Sequence, residues 1–211
     1  MRAGLWLSAA LFGMATAAAK DPEVLKLPPP ETTGGKPLMQ ALQERHSARE
    51  FAARPLAPQQ LSNLLWAAAG VNRPDSGKRT APSARDWREI DIYVATADGT
   101  YIYDPKAHAL RRVLARDVRA LTGQQDYVAS AALNLVYVAD RQRMEGASAE
   151  DVTRYAAADT GFIAQNVYLY CASAGLNVVV RGLVDREALA AALKLAPHQQ
   201  IILAQTVGYP K

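Results

Sequence analysis

The sequence predicts an α+β domain with a central mixed or antiparallel sheet flanked by helices. Three observations carry this. "IDIYVAT" and "YIYD" flank "ADGT", a hairpin signal because Asp-Gly tolerates positive φ. Helical and extended patterns then alternate without regular βαβ units. A single long apolar helix, opened by the S-x-x-D pair Ser148 and Asp151 and ending at Gly175, provides the packing partner for a sheet.

Taken in order, "MRAGLWLSAALFGMATAAAK" has one cation, Arg2, then an apolar run and Ala17-Ala18-Ala19. That is the pattern of a secretory signal peptide over 1–19, too short for a comfortable membrane span. Export to the periplasm or outside the cell is therefore expected, with cleavage near Ala19. Residues 20–36 are rich in Pro and Gly and read as an extended arm or linker. The folded domain is expected over 37–211.

Pro37 suits the first turn of a helix through about Glu44. A second helix is expected from Pro58 to Ala69, burying Leu61, Leu64, Leu65 and Ala68 and stopping at Gly70. A polar loop spans 71–89, and short helical pieces are expected across 111–130. "LNLVYVAD" (133–140) reads as a strand. The helix ending at Ala174 is apolar nearly all round, so it is expected to be central and buried. "LNVVVRG" reads as a short strand, "DREALAAAL" as a helix capped by Asp185, and "QIILAQTVG" as the final strand.

Composition narrows the chemistry. Of 211 residues, 50% are apolar and 21% charged, ordinary for one globular domain. The formal charge of +4, which drops by one without the leader, forms no basic tract of the kind that binds nucleic acid. Cys171 is the only cysteine, so an intramolecular disulfide is excluded; in an apolar helix it reads as core. His46, His108 and His198 are too scattered for a zinc site. "GVNRPDSGKR" fails as a P-loop: six residues separate Gly70 from Gly77, and Arg79 replaces the metal-binding hydroxyl. "CASAG" is not a nucleophile elbow, and no dinucleotide fingerprint occurs.

"ERHSAREF" is the informative stretch. Arg45 and Arg49 lie four apart with Ser47 between them; guanidinium forks and a hydroxyl together match phosphate oxygens. "PSARD", "GQQDYV", "GFIAQNVYLYCASAGL", "VVVRG" and "VGYPK" follow in order. With the Arg45-x-Ser47-x-Arg49-x-Phe51 segment, this series resembles the FMN-dependent nitroreductase family over about residues 37–211. The nearest branch resembles the single-domain thiazoline/oxazoline dehydrogenases.

The resemblance implies a nitroreductase-like fold, a homodimer with flavin at its interface, and FMN as the cofactor. It places Arg45, His46, Ser47 and Arg49 around the ribityl phosphate, with Lys211 as a further cation. Pro82, Ser83 and Ala84 would line the flavin of the partner subunit, and Gln124 would meet the pyrimidine edge. Val180, Arg181 and Gly182 would run along the ring, with the Gly182 N–H near N5. Two departures stand out: Asp86 replaces the usual Asn of the P-S-x-x-N segment, and Arg181 occupies the usual place of Glu. An inward-pointing Arg181 would stabilise an anionic reduced flavin.

The implied activity is hydride or electron transfer through FMN to or from a small organic substrate such as a nitroaromatic or quinone. The alternative is an exported flavin-binding electron-transfer protein, with a redox partner and no turnover of its own. No side-chain acid or base is expected to be essential; Tyr127, Tyr168 and Tyr170 could donate protons, but packing accounts for them.

Overall fold

The computed structural model describes residues 23–211, so the leader expected over 1–19 lies outside the described residues. Seven strands form one sheet: β1 (Val24–Lys26), β4 (Ile90–Thr96), β5 (Gly99–Asp104), β6 (Ala109–Leu114), β7 (Leu133–Asp140), β8 (Asn177–Arg181) and β9 (Gln199–Gly208). Their spatial order is β1-β6-β5-β4-β7-β9-β8. Every pairing is antiparallel, which settles the mixed-or-antiparallel choice. β2 (Val71–Arg73) and β3 (Lys78–Arg79) form a separate small hairpin. The helices are α1 (Leu38–Glu44), α2 (Pro58–Ala69), α3 (Ala149–Ala174) and α4 (Arg186–Leu193).

β7 is the spine. Its residues Leu133 to Ala139 are all buried, because both faces are covered. Leu133, Leu135 and Tyr137 pack with Leu64 and Leu65 of α2 and with Val167 and Cys171 of α3. Val136 and Val138 meet Leu189 and Leu193 of α4 on the other side. Full burial of Leu64 or Leu65 contributes about 1.5–3 kcal/mol each. The Tyr137 hydroxyl donates to Gln205 on β9, and the Gln205 amide reaches the Ala164 carbonyl on α3 at 3.2 Å. That chain ties the two central strands to the long helix.

Local signals set most boundaries. The Ser148 hydroxyl accepts from the Asp151 N–H at 3.1 Å, and Gly175 ends α3 in the left-handed region at φ 68°. Asp185 caps α4 by accepting from the Ala188 N–H at 3.0 Å. Cys171 is fully buried, and burial raises its thiol pKa well above the usual value, as core placement requires.

Three expectations need correction. The described part of the arm expected over 20–36, residues 23–36, is docked: β1 pairs with β6, and Ser62 on α2 donates to the Pro28 carbonyl at 2.6 Å. The helical region expected across 111–130 begins as strand, because β5 and β1 offer ladders on both sides of β6; single 3₁₀ turns follow at Arg119–Thr122 and Asp126–Ala129. Gly70 does stop α2 after Ala69 as expected, with extended backbone, and its lack of a side chain serves the Trp66 indole packed against it. Finally, α3 is not buried all round. Phe162 is 47% exposed, on a face it shares with Ala157, Gly161 and Gln165.

Candidate active site

The Arg45–Phe51 segment begins where α1 stops. The Arg45 N–H closes the last turn on the Ala41 carbonyl at 2.9 Å, but its ψ of 120° sends the chain out extended. The segment then runs beside β8: Ala48 N–H donates to the Val178 carbonyl at 3.0 Å, and Asn177 donates to the Glu50 carbonyl at 2.7 Å. Ala52 N–H reaches the Tyr209 carbonyl at 2.9 Å, which brings the chain end, with exposed Lys211, close to the same segment.

Arg49 is exposed, and its guanidinium has no carboxylate partner among the described residues. Arg45 is half-buried and likewise unpaired; it sits over the ring of Tyr168 with its guanidinium carbon 5.2 Å from the centroid. The His46 Nδ1 lies 2.8 Å from the Glu44 carbonyl, which can only accept, so Nδ1 carries the proton and Nε2 faces outward.

Tyr168 joins this cluster to β8. Its hydroxyl oxygen accepts from the Val180 N–H at 2.9 Å and lies 2.8 Å from Ser47 Oγ. With the backbone donor already on its oxygen, the phenol proton is free for Ser47. Tyr168→Phe is expected to lower stability by about 1 kcal/mol, because the part-buried Val180 N–H loses its partner; chemical denaturation reads this directly. A midpoint unchanged from wild type would show that the link carries no weight.

Two residues later, Gly182 is exposed, and a Cβ placed there would meet only the Leu203 side chain at 3.8 Å. Nothing inside the chain demands glycine at this position. Absence of a side chain there keeps the strand end open to a flat ligand.

Arg181 points the other way. It is 5% exposed, and its guanidinium donates to the Thr122 carbonyl at 2.7 Å, Asn134 Oδ1 at 2.9 Å and Thr206 Oγ1 at 3.0 Å. With no carboxylate beside it, burial lowers its pKa to about 10. A Cβ at Gly123 would collide with this guanidinium, so the "GQ" turn needs glycine to admit it. Gln125 faces Arg181 at 3.5 Å, while Gln124 is exposed.

The Pro82–Ala84 loop belongs to a different neighbourhood. Ala84 N–H donates to Asp159 on α3 at 2.9 Å, and Arg88 N–H to Ser83 Oγ at 2.9 Å. Arg85, Asp86 and Arg88 all have positive φ, at 51°, 58° and 54°. Asn and Asp tolerate that region better than other side chains, which rationalises Asp at position 86. The Asp86 carboxylate is taken up by Arg88 at 2.7 and 2.6 Å, and that bond lowers its pKa.

Asp159 and Tyr168 are nine residues apart on α3, about 13 Å along the axis and about half a turn around it. They mark the two flanks of the helix's buried face, and the exposed Gly161, Phe162 and Gln165 lie between them on the outer side. One copy of the chain therefore holds the Arg45–Arg49 cluster and the Pro82–Ala84 loop on opposite flanks of α3. Sequence reading treated Tyr168 as packing and passed over Glu89 and Asp159. A carboxylate in the otherwise apolar run "AAADTGF" was the available signal for the last of these.

Comparison with known proteins gives the arrangement its relatives. The nitroreductase family profile matches residues 42–209. A nitroreductase-like protein of Methanocaldococcus jannaschii is 32% identical over 176 residues, spanning 79% of this chain and 88% of its own length. The crystal structure of a nitroreductase-like protein from Ralstonia eutropha superposes with a TM-score of 0.86 at 46% identity, covering 93% of this chain and 96% of that one. An NADPH:FMN oxidoreductase of Vibrio harveyi, solved with NAD+, shares the fold at 23% identity and a TM-score of 0.61, over 82% of this chain and 69% of its own. With four-fifths of the sequence inside the family profile, and a fold that matches across nearly the full described chain, this protein belongs to the nitroreductase family.

Proposed function

We propose that the protein is an FMN-dependent oxidoreductase that works as a homodimer outside the cytoplasm, acting on a small organic substrate such as a nitroaromatic or quinone. The observation that carries this reading is the Arg45–Ser47–Tyr168–Val180 connection. It joins two unpaired guanidiniums, suited to a phosphate, to a strand end left open at Gly182. The donor set fits a flavin mononucleotide: cations and a hydroxyl for one end, flat backbone for the other. The NADPH:FMN oxidoreductase of Vibrio harveyi lends the same reading support through its shared fold.

FMN, when bound, supplies the hydride and electron chemistry. The chain's part is placement. Arg45, Arg49 and Ser47 would hold the phosphate, with His46 and Lys211 as further members of the assigned set. Val180 and Gly182 would present backbone to the ring, whereas the Arg181 side chain is committed to the interior and leaves only its main chain for contact. Pro82, Ser83, Ala84, Asp86 and the exposed Gln124 complete the assigned set. The opposite-flank placement of the loop and the cation cluster supports the dimer: a second copy packed on the exposed face of α3 would bring one copy's loop toward the other's cluster.

The apolar leader supports export, and little nicotinamide cofactor is available there, so poor turnover of NADH and NADPH is expected. The donor would then be another redox protein, a quinol or the substrate itself. Absorbance of the purified mature protein, its size by light scattering, and stopped-flow reduction test the reading together. A yellow dimer should bleach with dithionite, reoxidise with a quinone or nitroaromatic, and respond slowly to NADH. A colourless protein that takes up no FMN would overturn the cofactor assignment, and fast saturable bleaching by micromolar NADH would overturn the donor assignment.

A further inference from the structure

The Pro82–Ala84 loop is held in a shape that its backbone does not favour. Arg85, Asp86 and Arg88, which follow it directly, all sit at positive φ, a costly region for residues with side chains. Three bonds keep the chain there: Ala84 N–H to Asp159 Oδ2 at 2.9 Å, Arg88 N–H to Ser83 Oγ at 2.9 Å, and Ser83 Oγ to Glu89 Oε2 at 3.2 Å. Two carboxyls therefore anchor the loop, one on α3 and one just before β4.

Both are buried, Glu89 fully and Asp159 to 2% exposure, and neither has an ion-pair partner among the described residues. The nearby guanidiniums of Arg88 and Arg143 are taken by Asp86 and Asp91. Glu89 Oε1 has no hydrogen-bond donor among the described residues, yet Asp159 lies within hydrogen-bonding reach of the same carboxyl. Two ionised carboxylates cannot bond to each other, because both only accept. A single proton between them makes the bond and supplies the partner that the buried oxygen lacks.

We propose that Glu89 and Asp159 are positioning residues that share one proton, and that this proton holds the Pro82–Ala84 loop in the shape that lines the flavin of the partner subunit. The consequence for flavin rests on the assignment of this loop to the cofactor; the hold on the loop does not.

Asp159, which receives the Ala84 N–H, keeps the negative charge, and Glu89 keeps the proton. Burial raises the Glu89 carboxyl to about 7, and the charge of Asp159 adds to the rise. The other charged groups around the pair are Arg73, Lys78 and Arg79 of the β2–β3 hairpin, Asp86 and Arg88 of the loop, and Arg143 beyond β7. Arginine stays cationic throughout, and the bond to Arg88 keeps Asp86 ionised. With the loop released, Glu89 would lose its proton in the ordinary carboxylate range; with the loop docked it keeps it to about 7. Docking therefore weakens as pH rises toward that value, and above it the contribution is gone.

Tryptophan emission reads the loop without flavin. The Trp87 N–H donates to the Ala84 carbonyl at 3.0 Å, and its ring packs edge-on against Tyr155 of α3 with centroids 5.8 Å apart. In the mature protein before flavin is added, emission should change between pH 5.5 and pH 8, and Trp87→Phe should erase that change. Glu89→Gln and Asp159→Asn each put an amide donor where the shared proton was, so either variant alone should hold the loop and give a flat profile. FMN titration reads the cofactor side. The ratio of wild-type Kd to Glu89→Gln Kd should rise about tenfold from pH 5.5 to pH 8, and taking the ratio cancels the titration of the ligand's own phosphate. A flat wild-type emission profile, or one that survives in both amide variants, would overturn the role of the proton. A constant Kd ratio with measurable FMN binding would overturn the link to the cofactor. If FMN binds at no pH, the cofactor assignment fails, while the emission profile still decides whether the pair holds the loop. If Glu89→Gln does not fold, Asp159→Asn takes its place in both measurements.

Discussion

Arg181→Leu is expected to destabilise the fold by about 3–5 kcal/mol, seen as a lower urea midpoint with an unchanged m-value. The Thr122 carbonyl is buried and accepts only from this guanidinium, so its removal strands that carbonyl, and buried Asn134 Oδ1 loses one of its two donors. Thr206 loses less, because its hydroxyl can still donate to Asn134 at 2.6 Å. Lysine should recover only part of the loss, having no fork to span both acceptors. The companion test is Gly123→Ala. It should be strongly destabilising in the wild type, where the new methyl meets the guanidinium, and nearly neutral in Arg181→Leu. Additive effects, or a leucine variant as stable as wild type, would show that Arg181 is not the centre of this turn.

Arg49→Ala should weaken FMN by about 1.5–3 kcal/mol at low salt, roughly ten- to a hundredfold in Kd, and less at physiological ionic strength. Riboflavin should be almost unaffected, since it lacks the phosphate. Arg49 is exposed and unpaired in the free protein, so its loss has little structural consequence and the ligand difference can be read cleanly. Equal weakening of both ligands would place Arg49 away from the phosphate. Fluorescence quenching of each flavin on titration gives both constants.

Much of the fold was legible because its signals are local. Ser148, Gly175 and Asp185 mark helix ends within four residues of the bonds they make or the turn they set. The hairpin at Asp98-Gly99 is equally self-contained. β6 was misread because "ALRRVL" carries two arginines and no strong alternation; its ladders come from β5 and from β1, more than eighty residues earlier in the chain. The candidate site divides the same way. The Arg45–Arg49 cluster is contiguous and could be seen. The Ser83–Glu89–Asp159 group is joined across 75 residues, and no spacing rule connects its members. The inward turn of Arg181 was readable in principle: successive side chains on a strand alternate, so a residue between Val180 and Gly182 faces away from them.

The Arg45–Phe51 segment has a second consequence, for solubility. β8 is the last strand of the sheet, and the Ala48 N–H bonded to the Val178 carbonyl covers its outer side. The opposite border is closed by β1, only three residues long. Short or covered borders are how sheets avoid recruiting strands from other molecules. The stretch that carries the cations is thus also the guard on one border. Whatever anchors it, including a phosphate held by Arg45 and Arg49, would suppress edge-to-edge assembly. Chains stripped of that anchor should aggregate through β8 before their core has opened.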